Sequence, residues 1–261
     1  MNLLEMFAGL LVGLLVGFTG VGGGALMTPV LIVLFGVAPQ TAVGTDLLFA
    51  SITKGVGGWV HGARGSVDWP VFRRLSLGSL PAAALTLLFI KHIRPDPGAQ
   101  TLILQSLGAV LALTSVAMTF KSRLHYLGQR WRTAAPERFK GVQPVLTVFA
   151  GALLGCLVTL TSIGAGALGA VMLAYLYPYR LTPAKLVGTD IAHAIPLTLV
   201  AGLGHLALGN LDFRLLGSLL AGSIPGVMLG SILSTKVDDH HVRTAVAVIL
   251  MIVGGRLLLQ G

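Results

Sequence analysis

Two carboxylates, two hydroxyls, an amine and an imidazole sit inside stretches that are otherwise almost wholly apolar. Asp46 and Asp190 close the tripeptides Gly44-Thr45-Asp46 and Gly188-Thr189-Asp190; Lys54 follows the first and His193 the second. A lysine in such a setting is costly and is a functional candidate by default. Beside a titratable imidazole it suggests an anion pocket. Plainer roles stay open for each group. An acid near a helix N-terminus is favoured by the dipole alone, and the hydroxyls of Thr45 and Thr189 can serve a ligand or the backbone. Lys54 can form an ion pair with Asp46 or Asp190. Asp68 and Asp212 each follow a short turn and open the next helix, with Pro70 just inside the first, so they read as N-caps. His61 and His205 end their helices near an interface, as partners of the helix dipole or as gates.

The elements that must position these groups come in two copies. Sliding the chain by 144 positions superposes the tripeptides and also pairs Gly20 with Gly164, Gly22 with Gly166 and Pro39 with Pro183. The match runs on through His61/His205, Asp68/Asp212, Ser79/Ser223 and Pro81/Pro225. This is an internal duplication. Lys54 and His193 break it, facing Thr198 and Phe49 in the other copy.

Each copy begins with an apolar run that meets a Gly-rich stretch. Residues 3–18 lead into Thr19-Gly20-Val21-Gly22-Gly23-Gly24 and then 25–37; residues 143–160 lead into Thr161-Ser162-Ile163-Gly164-Ala165-Gly166 and then 167–178. The second arms are roughly 20 Å long as helix, short of the ~30 Å hydrocarbon core. Each pair therefore reads as a helical hairpin with its tip inside the membrane, although full-length tilted arms stay open. A broken tip at that depth is tolerated only where protein or a cavity surrounds it. It also exposes helix-start amides, a ready anion site. Thr19, Gly20, Gly22, Gly23 and Gly24 are the candidates on the first tip, and Ser162, Gly164 and Gly166 on the second. The alternative is that these glycines only let helices pack closely.

At 54% hydrophobic and 10% charged residues, with mean hydropathy +0.87, the chain has too few charges to cover a water-soluble globule of 261 residues. The long apolar stretches are 70–90, 98–120, 142–160, 184–207, 213–234 and 242–259. The start, Met1-Asn2-Leu3-Leu4-Glu5, lacks a basic n-region, so the first apolar run is expected to be retained. The net charge of +9 sits in short loops between the spans, which points to the positive-inside rule rather than to nucleic acid. Cys156 is alone, so no disulfide, metal or cofactor site is expected. The basic segment 121–140 is expected in the cytoplasm, joining repeat 1 (1–120) through a linker (121–141) to repeat 2 (142–261). Counting spans from there places the corners 36–41 and 180–185 on opposite sides. The expected fold is thus an all-α integral membrane protein with two inverted-topology repeats. Each is a Gly-broken hairpin plus three transmembrane helices, giving eight to ten membrane segments in all. Lys54 and His193 then share a depth about 12 Å from the cytoplasmic face by helical rise.

The run Gly17-Phe18-Thr19-Gly20-Val21-Gly22-Gly23-Gly24, then Pro29, then Ala42-Val43-Gly44-Thr45-Asp46, resembles the TauE/SafE family of membrane permeases. The echo in Gly164-Ala165-Gly166 and Val187-Gly188-Thr189-Asp190 is similar to the same pattern. The second copy departs at Ala167-Leu168-Gly169, where the first has Gly23-Gly24-Ala25. The resemblance spans nearly the whole chain. It implies a multi-pass plasma (inner) membrane transporter exporting sulfite or small organosulfonates.

The expected function is therefore export of a small anion by alternating access, with the bilayer as surroundings and with proton coupling and a homodimer left open. An anion channel, or a permease for another small anion, is the alternative. No nucleophile elbow or zinc helix supports a membrane hydrolase.

Overall fold

The computed structural model describes residues 2–19, 24–62, 66–92, 97–134, 136–233 and 239–260. It describes their side chains except at 19, 24, 25, 57–62, 97–100, 102, 103, 138, 239–246 and 260. These residues form eleven helices and no strand. They are α1 (Leu3–Thr19), α2 (Gly24–Val33), α3 (Pro39–Gly62), α4 (Trp69–His92), α5 (Pro97–Thr119), α6 (Lys121–Ala134), α7 (Pro136–Thr161), α8 (Ala167–Leu176), α9 (Pro183–Ala207), α10 (Phe213–Leu233) and α11 (Asp239–Gln260).

Local chemistry sets the helix starts. Pro39 and Pro183 open α3 and α9, and the Thr182 hydroxyl accepts from the Lys185 amide at 3.4 Å. The expected caps hold. Asp68 Oδ1 accepts from the Val71 amide (3.2 Å), and Asp212 Oδ1 from the Arg214 and Leu215 amides (2.9 and 3.0 Å).

The two copies repeat the same packing. α1 lies along α10 as α7 lies along α4, while α3 packs on its own homologue α9, and α5 on α11. Rows of glycine permit the close pairs: a Cβ on Gly13 of α1 would run into the Ser223 backbone of α10, and one on Gly155 of α7 into Ser79 of α4. Reciprocal hydrogen bonds tie α3 to α9. The Asp212 amide donates to Thr45 Oγ1 at 3.2 Å, and the Asp68 amide to Thr189 Oγ1 at 2.9 Å. The start of each helix therefore meets the end of the other, so the two run antiparallel.

By length and composition, four helical stretches among the described residues can cross a membrane: Trp69–His92, Phe139–Thr161, Pro183–Ala207 and Phe213–Leu233. The bent pair Leu104–Thr119 plus Lys121–Ala134 makes up to a fifth. Their outer faces carry exposed Leu85, Phe89, Val145, Phe149 and Ile232, side chains that only lipid would cover. The segment expected as a linker is itself helical. α6 turns 68° away from α5 and packs on the end of α8, where Gly128 meets the Tyr175 backbone and a His125 ring N–H donates to the Ala174 carbonyl at 3.0 Å. Polar on one side and packed on the other, such a helix suits an interface.

Candidate functional site

The second broken tip is the centre of the site. α7 stops at Thr161, whose hydroxyl donates to the Leu157 carbonyl (2.6 Å) and accepts from the Ile163 amide (3.1 Å). The chain then turns through Gly164 at φ +109° and Gly166 at φ +146°, backbone that a Cβ would strain. Ser162 takes φ +59°, and its buried hydroxyl turns to the Asp46 carboxylate without completing a hydrogen bond. α8 starts at Ala167 without a side-chain cap and holds only ten residues, about 15 Å of helix. The arms expected over 25–37 and 167–178 are thus shorter still, Gly24–Val33 and Ala167–Leu176. At ten residues each, both are too short to cross the hydrocarbon core alone.

Lys54 comes to this tip. It lies within α3, is 4% exposed, and its ammonium donates to the Ala165 carbonyl. No carboxylate oxygen stands within 4.0 Å of it among the described residues, so the direct ion pair with Asp46 or Asp190 is absent. Both acids nevertheless belong to its electrostatic surroundings. Asp46 Oδ2 accepts from the Thr28 amide (3.1 Å) and the Thr28 hydroxyl (2.6 Å), while its Oδ1 is buried and unpartnered. Asp190 sits against the first turn of α8: a Cβ on Gly169 would fall on its Oδ1. An acid there is favoured by the α8 dipole. The two homologous acids are therefore held differently, since Met172 stands where the first copy has Thr28.

His193 turns to α4, with Nε2 at 2.8 Å from Ser79 Oγ. The second-copy serine, Ser223, is buried without a partner, and Phe49 occupies the position homologous to His193. The broken symmetry is thus written in a hydrogen bond. Of the two roles open to Thr45 and Thr189, the backbone one is seen: their hydroxyls accept from the Asp212 and Asp68 amides.

His205 lies in the last turn of α9, where it is buried, and its Nε2–H donates to the Thr159 carbonyl of α7 at 2.9 Å. Gly20, Gly22 and Gly23 lie outside the described residues. Thr19 ends α1, Gly24 opens α2 and His61 lies in α3, with their side chains outside the described set. Three residues were not read from the sequence: Thr28, Ser79 and Gly169. Ser79 was visible as a repeat identity; Thr28 and Gly169 carried no such signal, because neither matches its homologous position.

Residues 5–257 match the family described as Sulfite exporter TauE/SafE. The chain belongs to this family. It is 38% identical over 262 residues to the probable membrane transporter protein YjnA of Bacillus subtilis, covering 99% of this chain and 100% of that one. It is 25% identical over 253 residues to the probable membrane transporter protein YdhB of the same organism, covering 95% and 96%. No solved structure matches significantly. This TauE/SafE chain is thus a multi-pass membrane transporter.

One end of the TauE/SafE bundle is basic. Arg74 of α4, Arg132 of α6, Lys140 of α7 and Arg180 before α9 line one pocket there, and the charge of Lys185 in the first turn of α9 acts on Asp68. Arg180 donates from Nε and Nη2 to both Asp68 oxygens, at 2.7 and 2.9 Å. Burial works against the Asp68 charge. The bonds from Arg180 and the Val71 amide, with the charges of Arg180 and Lys185, outweigh it and hold the carboxyl below its usual range.

Proposed function

We propose that this transporter moves sulfite or a small organosulfonate out of the cell, by alternating access around the site of Lys54 and the α7–α8 tip. One observation carries the reading: a buried lysine from α3 donates to the carbonyl of a broken tip, beside an unpartnered serine and the start of a half-helix. These are the donors an oxyanion needs, and inverted-repeat transporters place substrate at such helix breaks. The antiparallel α3 and α9, with their exchanged contacts, support an inverted topology. The basic end supports a plasma-membrane orientation with α6 in the cytoplasm.

Charge constrains the mechanism. Lys54 with ionised Asp46 and Asp190 sums to one negative charge, which would repel an incoming anion. Binding is favourable when a proton accompanies the anion onto one of these carboxylates. A dianion leaving with one proton carries out one net negative charge, which releases about 2.3 kcal/mol at 100 mV and favours export.

Efflux of sulfite and of a sulfonate from proteoliposomes tests this. Saturable efflux from the native chain, lost in Lys54→Ala, supports the reading. Native-like efflux in Lys54→Ala removes this site, and unsaturable currents would make the protein a channel.

A further inference from the structure

At the basic end, away from Lys54, α4, α6, α7 and the α8–α9 corner enclose a cavity of about 410 Å³, within the range of small-molecule sites. Four cations line it: Arg74, Arg132, Lys140 and Arg180. Two are already matched, Arg180 by Asp68 and Lys140 by Glu137 at 3.1 Å. Arg74 and Arg132 have no carboxylate within 4.0 Å among the described residues. Arg74 Nη1 donates only to the Tyr177 hydroxyl, a long bond of 3.4 Å, and that hydroxyl also pairs with Thr147 Oγ1 at 2.8 Å. The Arg132 guanidinium lies 5.5 Å from the Phe139 ring centroid, and its Nη1 is buried with no acceptor among the described residues. Two guanidiniums without a carboxylate on one cavity favour an oxyanion there.

The shape narrows the class. A guanidinium fork matches the paired oxygens of a phosphate, and two forks on one cavity suit a single tetrahedral group. The cavity is much larger than a lone oxyanion, and Pro144, Pro178 and Tyr179 offer walls for an organic body. We infer that this cavity binds a glycerophosphate-type phosphate ester, through Arg74 and Arg132, as a site separate from the transport path. The same chemistry is carried by a phospholipid headgroup and by a soluble phosphate ester.

The full-length protein in phosphatidylcholine nanodiscs is titrated with glycerol 3-phosphate by calorimetry. In parallel, protein purified from mixed micelles is weighed by native mass spectrometry for retained phosphatidylglycerol against phosphatidylcholine. One saturable ligand per chain in either arm is expected, and the arm that responds names the source. Arg74→Gln with Arg132→Gln should weaken it at least tenfold, while Arg123→Gln, on an exposed part of α6, should not. Arg132→Lys, which keeps the charge and loses the fork, should also weaken it severalfold in a protein that folds. No saturation in either arm, or native affinity in the arginine variants, overturns the inference.

Discussion

Lys54 and Thr45 are polar residues buried in the same helix, yet their expected contributions separate cleanly. Lys54 Nζ meets a tip carbonyl and two acids' fields, so its removal leaves an anion without its cation. Loss of one charge-assisted bond of about 1.5–3 kcal/mol should lower sulfite efflux by about tenfold or more in Lys54→Gln, read as initial rate, with the melting temperature close to native. Thr45 and Thr189 tie backbone to backbone. Thr45→Val or Thr189→Val should cost about 1 kcal/mol in unfolding free energy and leave the efflux KM unchanged. A changed KM with unchanged stability would return these hydroxyls to the substrate. Asp68 titrates outside the membrane. Its folded pKa is lowered, so its stabilisation is present above the unfolded value, near pH 4, and is lost as pH falls through the folded value. Arg180→Gln should therefore flatten the acid limb of the melting curve below about pH 4 and change little at pH 7, since the pair is partly exposed.

Among the helices, the half-helix α8 and its tip decide what the site can be. Gly164 holds a backbone angle that alanine resists, and Gly169 leaves the space taken by Asp190. Gly169→Ala should displace the Asp190 carboxylate and lower efflux, with an intact circular dichroism spectrum; Gly217→Ala, where a Cβ meets nothing within 4 Å, is the matched control. Equal efflux in both would detach Asp190 from transport. The existence of the tip was legible in Thr161-Ser162-Ile163-Gly164-Ala165-Gly166, because broken apolar runs and clustered glycines mark where a helix stops. The helical state of α6 was not. Its charge density reads as loop, and only its packing on α8 through Gly128 and His125 reveals why the segment is ordered.

At the level of the molecule, the exchanged contacts join the two halves reciprocally through α3 and α9. An inverted arrangement with the basic end inside puts the homologous corners before α3 and before α9 on opposite faces. In a Cys156→Ser background, Leu34→Cys should react with an impermeant maleimide from outside intact cells and Tyr179→Cys only after permeabilisation. Both are exposed positions. Labelling of both from one side would reject the inverted arrangement. The sequence by itself determined the membrane class, the duplication, the break after Thr161 and the family resemblance, because periodicity, composition and repeated Gly, Pro and Asp are local properties of the chain. Only the tertiary structure decided which polar groups meet. Lys54 found a carbonyl 111 residues away, His193 a serine 114 away, and His205 a carbonyl 46 away. Such pairings depend on how antiparallel helices cross, a relation that spacing along one chain does not contain.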